Sequence, residues 1–315
     1  MKLAFLYAGQ GSQCAGMGRD FYEYDPDFAA LIDRADPGFD LKKIMFEAPL
    51  EELSRTRYTQ PVMAAYAAGV TAALYRSGLY PSYTAGLSLG EYSALHAAGV
   101  LDADTLIRVT AFRGKAMEEA AKGQDCRMCA VIGLPSEQVE KIVGQVTEER
   151  KDASDGEFVE VANYNTASQT VIAGTEGAVS RAKELLSEAG ARRLRDLKVS
   201  GAFHTSMMKP VADELDRCFR HVTFFQPQVP VIFNTTAEPL ADGEEIPELL
   251  KRQVCSSVRM KQTIDYLSAQ GVDTVVEIGP GRTLAGLVKK TAPQMRTFSI
   301  KDVDSFRQTV EELRA

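Results

Sequence analysis

Apolar and polar positions along the chain change period in a way that lays out a series of strands and helices. Residues 3–8 form a short unbroken apolar run closed by the polar turn Gly9-Gln10-Gly11-Ser12-Gln13, the pattern of a buried strand. Segments near 17–35 and 41–54 carry apolar residues at helical spacing on one side only. Thr59-Gln60-Pro61 then opens an Ala-rich helix to about Ser77, with Pro61 expected in the first turn, where its missing N–H does no harm, and Gly78 as the stop. Pro81 to Ala85 reads as a turn into a second buried strand, and Leu89 to Ala98, rich in Ala and Leu, as a buried helix. A further helix starts near Asp102, where Asp-Ala-Asp-Thr offers capping side chains, and runs to about Lys122.

From residue 127 the rhythm shortens. Strand 127–133, helix 136–147, a polar connection from Glu148 to Gly156, strands 157–164 and 169–174, helix 176–189 and strand 192–198 follow in turn. That β-α-β-β-α-β order is that of a ferredoxin-like α+β unit. It is expected to be a small domain, residues 127–198, inserted into a large domain made of 1–126 and 199–315. The large domain resumes at Ser200-Gly201-Ala202-Phe203-His204-Thr205-Ser206, with helix 207–220 and a strand over 229–234. Helices at about 245–255 and 260–270 lead to strand 273–278, which ends at Gly279-Pro280-Gly281; helix 283–290, strand 296–300 and a charged terminal helix close the chain. Strands alternating with helices predict an α/β large domain whose mostly parallel sheet is covered on both faces.

Composition narrows the function. The chain has 315 residues, 45% of them hydrophobic and 25% charged, as in a soluble globular protein long enough for a large core. A formal net charge of -7 gives a nucleic-acid partner no electrostatic support. No apolar run approaches the roughly 20 residues of a membrane span, and the apolar start ends at Gly9, too soon for a signal peptide. Five cysteines, an odd number scattered over a long chain, fit reduced thiols in the cytoplasm. Cys126-Arg127-Met128-Cys129 has no second ligand pair for a metal, and strand alternation would put its thiols on opposite faces.

The chemistry centres on Gly86-Leu87-Ser88-Leu89-Gly90, a Gly-x-Ser-x-Gly turn between a strand and a helix, as in α/β-hydrolase-like cores. Such a turn projects the serine hydroxyl at the positive end of the helix, and the N–H of Leu89 would point at a developing oxyanion. The N–H of Gln10, after the first strand, is a second candidate donor. Arg113, with Phe112, Ala116 and Met117 as apolar neighbours, is placed at the edge of a buried face, where its planar fork could grip a carboxylate; a solvated arginine fits the pattern as well. Serine needs a base, and the chain has three histidines. His96 reads as a packed helix residue and His221 as a helix-end residue, which leaves His204, in a loop at the domain junction, as the base. Asp102, Asp125, Asp155 and Asp196 lie between serine and histidine, yet none sits at an evident strand end, so a backbone carbonyl or an asparagine could hold the histidine instead.

These segments together resemble the malonyl-CoA:acyl carrier protein transacylases of fatty acid synthesis, over nearly the whole chain. The resemblance rests on Gly9–Gln13, Tyr58-Thr59-Gln60-Pro61, Gly86–Leu95, Arg113-Gly114-Lys115, Asn163-Tyr164-Asn165 with Gln169–Gly174, Gly201–His204 and Glu277–Gly281. It implies a ping-pong transfer through a malonyl-Ser88 ester, with His204 as proton shuttle, Gln10 and Leu89 at the oxyanion and Arg113 on the malonyl carboxylate. It further implies that the carbonyl of Gln253 orients His204 and that Gln60 and Asn165 line the cleft. Phe203 matches the malonyl-selective form of the histidine block. Leu87 stands where the family usually has histidine, and 254–260 lacks the family's usual proline and aromatic residue. No cofactor or metal is implied; the partners are the coenzyme A thioester and a phosphopantetheine-bearing acyl carrier protein, and the expected state is a monomer. An acidic carrier needs a basic patch on this acidic chain, and Arg192, Arg193, Arg195 and Lys198 are the nominated cluster, with a merely solvated strand face as the alternative. The competing functional readings are a serine esterase or thioesterase, a polyketide-pathway acyltransferase with another extender unit, and a non-catalytic carrier-binding module.

Overall fold

The computed structural model describes residues 1–149, 156–199 and 201–315. The first strand, β1 (Leu3–Tyr7), is buried along its whole length. Its alternate side chains feed two cores: Leu3, Phe5 and Tyr7 join the larger cluster, and Ala4 and Leu6 the smaller one on the opposite face. A strand apolar on both faces belongs in the middle of a covered parallel sheet. β1 lies there, in a five-stranded, all-parallel sheet between β2 (Tyr83–Gly86) and β8 (Thr274–Ile278), with β7 (Val231–Ile232) beyond β2 and β9 (Arg296–Ile300) beyond β8.

Five helices separate β1 from β2. The amphipathic stretch 17–35 is two helices, α1 (Arg19–Tyr24) and α2 (Pro26–Arg34). Asp25 divides them: its carboxylate accepts the N–H groups of Asp27 and Phe28, and Pro26 cannot continue α1. Stretch 41–54 likewise divides at Ala48-Pro49 into α3 (Leu41–Phe46) and α4 (Leu50–Leu53). α5 (Thr56–Arg76) begins earlier than its sequence suggests, because the N–H groups of Tyr58 and Thr59 both reach the Arg55 carbonyl at 2.9 Å. Pro61 is therefore inside the helix and removes one ladder bond there. β2 (Tyr83–Gly86), α6 (Leu89–Ala97) and α7 (Ala103–Ala121), capped by Asp102, follow.

The small sheet comprises β3 (Cys126–Ile132), β4 (Val159–Thr166), β5 (Gln169–Thr175) and β6 (Arg193–Asp196), with α8 (Ser136–Glu149) and α9 (Glu176–Glu188) packed on one face. Its order, β4-β5-β3-β6 with antiparallel neighbours, is the ferredoxin-like arrangement. Residues 150–155 of the polar connection, Asp155 among them, lie outside the described residues, as does Ser200. Cys126 packs in the large core and Cys129 in the small one, on opposite faces of β3. The two lobes are laced together: Tyr164 N–H donates to the Val258 carbonyl at 2.8 Å, Val258 N–H to Ala162 at 2.9 Å, and Ser206 N–H to the Glu160 carboxylate at 3.0 Å.

The chain re-enters the large lobe through a short 3₁₀ turn (Ser206–Met208) and α10 (Lys209–Phe219). β7 is only Val231–Ile232, shorter than the 229–234 expected, because Phe233 N–H turns to the Glu238 carbonyl and Asn234 is recruited elsewhere. Then come α11 (Ile246–Val254), α12 (Met260–Ala269), β8 (Thr274–Ile278), α13 (Thr283–Thr291), β9 (Arg296–Ile300) and α14 (Val303–Arg314). Glu277, fully buried on β8, receives the N–H groups of Leu284 and Ala285 at 3.0 and 2.9 Å and so caps α13 from inside the sheet. Glu277→Ala leaves those donors unsatisfied and is expected to cost about 1–3 kcal/mol, read as a lower urea midpoint, while Glu277→Gln, which keeps an acceptor, loses less.

Candidate active site

The elbow is built by close backbone approach. A Cβ on Gly86 would lie 2.0 Å from the Gly90 carbonyl carbon, and one on Gly90 2.1 Å from the Tyr7 oxygen of β1, so neither position admits a side chain. Between them Ser88 is held at φ 56°, ψ -103°, a conformation a non-glycine residue keeps only when its surroundings impose it. Those surroundings include Asn234. The pairing of Ile232 with Ala85 brings it beside the turn, where its Oδ1 accepts the Ser88 N–H at 2.7 Å and its Nδ2 donates to the Gly86 carbonyl at 2.7 Å. Its own N–H donates to the carboxyl of Glu91, the one acidic residue of α6 and fully buried.

His204 meets Ser88 across the lobe junction. Its Nε2 lies 2.7 Å from Ser88 Oγ, and its Nδ1 lies 2.9 Å from the Gln253 carbonyl oxygen. A carbonyl only accepts, so the proton sits on Nδ1 and Nε2 is bare and able to take the serine proton. Burial, and then the nearby Arg113 charge, lowers the His204 pKa to about 4, so the ring is neutral at physiological pH. No aspartate takes part among the described residues. Asp102 caps α7, Asp125 is exposed beside Arg127, and Asp196 is held by Lys183. His96 turns its Nδ1 to the Leu101 carbonyl at 2.8 Å, and His221 is exposed beyond α10.

Arg113 lies deeper than its sequence suggests: it is fully buried, while Phe112, one helical step round, is 37% exposed. Its guanidinium donates to Gln60 Oε1 at 2.9 Å, Gln253 Oε1 at 3.0 Å and Ser88 Oγ at 3.2 Å, and it stands 5.3 Å from the Tyr92 ring centroid. None of those bonds is to a carboxylate. Glu91 is near enough to feel the charge, yet burial raises its pKa to about 8, so at neutral pH it is chiefly protonated. Gln253 serves three groups at once, since its Nε2 also donates to the Ser88 carbonyl at 2.8 Å.

A cavity of about 220 Å³ opens above Ser88, walled from both lobes. Gln10, Gln60, Leu87, Asn165 and Phe203 line it, and the buried Oδ1 of Asn165 has no partner among the described residues. Leu89 is the first residue of α6, whose leading N–H groups lack intrahelical acceptors, and Gln10 occupies the turn after β1 with its side chain on Thr56 at 3.0 Å. Two residues of the site escape the sequence reading: Asn234 and Glu91. A lone carboxylate in an otherwise apolar helix was the available signal for Glu91. Asn234 offered only a polar residue closing a strand-like run.

A family model described as the acyl transferase domain matches residues 4–309. The malonyl CoA-acyl carrier protein transacylase of Bacillus subtilis (strain 168) is 39% identical, over 99% of this chain and 98% of its own. A crystal structure of MCAT from Streptococcus pneumoniae superposes with a TM-score of 0.92 at 42% identity, over 99% of this chain and 100% of its own. So does, with TM-score 0.92 at 36% identity and the same coverage, a malonyl-transacylase solved in complex with its type II PKS acyl-carrier protein.

The lowered His204 pKa sets a pH signature. A folded-state value below the unfolded one of about 6.5 means that acid favours the unfolded chain, and stability from this group is lost as pH falls from about 6.5 towards 4. Reactivity follows the same proton. The rate at which a fluorophosphonate labels Ser88 is expected to stay level from about pH 8 to about pH 5 and to halve near pH 4. A midpoint near 6.5 would show a solvated imidazole instead.

Proposed function

The chain belongs to the acyl transferase domain family, and from that premise we propose how its residues share the work. The protein is an acyltransferase that moves a malonyl group from malonyl-CoA to acyl carrier protein for fatty acid synthesis. In the proposed mechanism, Ser88 Oγ attacks the thioester carbonyl while His204 Nε2 takes its proton. The carbon–sulfur bond then breaks, and the coenzyme A sulfur leaves with the proton from His204. The phosphopantetheine thiol of the carrier passes its proton to His204 and attacks the malonyl-Ser88 ester, and the proton returns to Ser88 Oγ. Protons and electron pairs balance among the serine, the histidine and the two thiols, so neither step calls on a metal or a cofactor.

The Ser88 N–H is committed to Asn234, which leaves the N–H groups of Leu89 and Gln10 as the proposed oxyanion donors. The Gln253 carbonyl fixes the His204 tautomer in the place an aspartate takes in many triads. Gln60 and Gln253 hold the Arg113 fork, and Leu87, Asn165 and Phe203 shape the walls against which the acyl group and its arm lie. We divide the chain into a large domain, 1–126 with 199–315, and a small domain, 127–198; the two sheets share no strand, which supports this. One chain carries every group in the scheme, in keeping with action as a monomer. Among the described residues no helix is long and apolar enough to cross a membrane, and the free cysteines fit a reducing cytoplasm.

One observation carries the malonyl assignment: a fully buried guanidinium, hydrogen-bonded to Ser88 itself and, among the described residues, to no carboxylate. A site for uncharged esters has no use for it, which sets the esterase reading aside. Its removal is the test. Arg113→Ala is expected to lose about 3 kcal/mol of malonyl-specific stabilisation, roughly 100-fold or more in Ser88 acylation, and to accept acetyl-CoA better than wild type. Intact-mass measurement of the acyl-enzyme reads both. An unchanged preference removes the clamp from the mechanism, and rapid loss of malonyl to water from wild-type enzyme without a carrier restores the esterase.

A further inference from the structure

Strand β6 is the outer edge of the small sheet, and its side chains divide between two faces. Residues directly opposite one another in an antiparallel pair point the same way. Arg195 is opposite Ala130, and Ala130 is opposite Val171; Arg193 is opposite Ile132, and Ile132 is opposite Gln169. Ala130, Val171 and Gln169 all line the Ser88 cavity. Both arginines therefore stand on the cleft-facing side, Arg195 about one strand spacing (~4.8 Å) beyond the cavity wall. Past the strand's end, Leu197 and Val199 line the cavity themselves.

These charges are uncommitted. Arg193 and Arg195 are exposed, and neither has an ion pair among the described residues. The acidic member of the strand, Asp196, points to the helix-covered face, where Lys183 holds it at 2.8 Å. The other two cations of the local cluster face elsewhere. Arg192 folds back over Gly133, and Lys198 enters a neighbouring groove of about 640 Å³ of mixed charge, lined by Arg55 and Arg127 together with Glu51, Glu118 and the Asp196 end of β6. That groove meets the serine cavity at Gln10, Leu197 and Val199 and offers an extended arm a way in. On a chain of net charge -7, a pair of free cations at the mouth attracts an acidic surface while the rest of the molecule repels it, which orients an incoming partner.

Resting on the malonyl-transfer reading, we infer that the cleft face of β6, through Arg193 and Arg195, is where an acidic, thiol-bearing carrier protein docks to deliver its arm to Ser88. The alternative is an edge strand charged only to deter pairing with another sheet. The double variant Arg193→Glu with Arg195→Glu separates them in three assays on one preparation: Ser88 acylation by malonyl-CoA, malonyl transfer to phosphopantetheinylated carrier protein over a range of salt, and transfer to free pantetheine. The expected result is a roughly 10- to 100-fold fall in kcat/KM for the carrier at low salt with a flattened salt dependence, while the other two rates stay within about 2-fold of wild type. The double glutamine variant should fall between. Wild-type carrier kinetics and salt slope in the glutamate variant would overturn the docking surface and leave the transfer reading intact. An equal loss in all three assays would overturn it too, as a general disturbance of the site. Failure of the wild-type enzyme to load the carrier at all would remove the transfer reading itself.

Discussion

A full positive charge buried without a paired carboxylate among the described residues is the constraint around which this molecule is arranged. Taking a guanidinium out of water costs several kcal/mol unless its donors are met. Here neutral groups meet its two terminal nitrogens, namely two glutamine oxygens and the Ser88 hydroxyl, with the face of Tyr92 nearby, while its Nε has no partner among the described residues. The neighbouring acid and base stay neutral as well. Glu91, raised to about 8, keeps its proton, and His204, lowered to about 4, goes without one. Of Arg113, Glu91 and His204, only Arg113 is charged at neutral pH. Had Glu91 ionised, it would have answered that charge from inside the fold and left less of it for an acyl carboxylate.

The scaffold converts sheet order into site geometry. β1 supplies the carbonyl wall against which Gly90 must press, β2 carries the chain into the elbow, and β7, only two residues long, delivers Asn234 to the back of the serine. The histidine reaches the same point from the lobe junction. There Glu160 of the small sheet holds Ser206, and Val258, a few residues beyond Gln253, pairs with β4. His204 and the Gln253 carbonyl it faces are thus each tied to the small lobe within a few residues. Both lobes contribute to the cavity, and both help to fix the imidazole beside Ser88.

Much of this was legible in the sequence because it depends on local pattern. The serine turn announces itself by its glycines, and only three histidines compete for the base. Alternation foretells that Cys126 and Cys129 part company across β3. What escaped depends on long-range contact. Nothing near Asn234 shows that its side chain makes two hydrogen bonds around Ser88, 146 residues away. The depth of Arg113 was underestimated because Phe112 looked like a neighbour on the buried side, whereas the helix turns it outward. The breaks at Asp25 and at Pro49 are turn chemistry hidden inside continuous amphipathic periodicity.

The triple engagement of Gln253 has a consequence for how such a protein can change. Its main-chain oxygen steadies the imidazole, its side-chain oxygen steadies the guanidinium, and its side-chain nitrogen steadies the serine carbonyl. In the proposed mechanism, choice of acyl group and speed of proton transfer therefore share one residue and are not independent dials. A lineage moving towards uncharged acyl groups by discarding Arg113 strands two buried glutamine oxygens, those of Gln60 and Gln253, the second on the helix end whose carbonyl faces the histidine. Under the proposed mechanism an exchange at Arg113 that admits uncharged acyl groups also disturbs the residue facing His204, and positions 60 and 253 are where evolution or a designer would compensate.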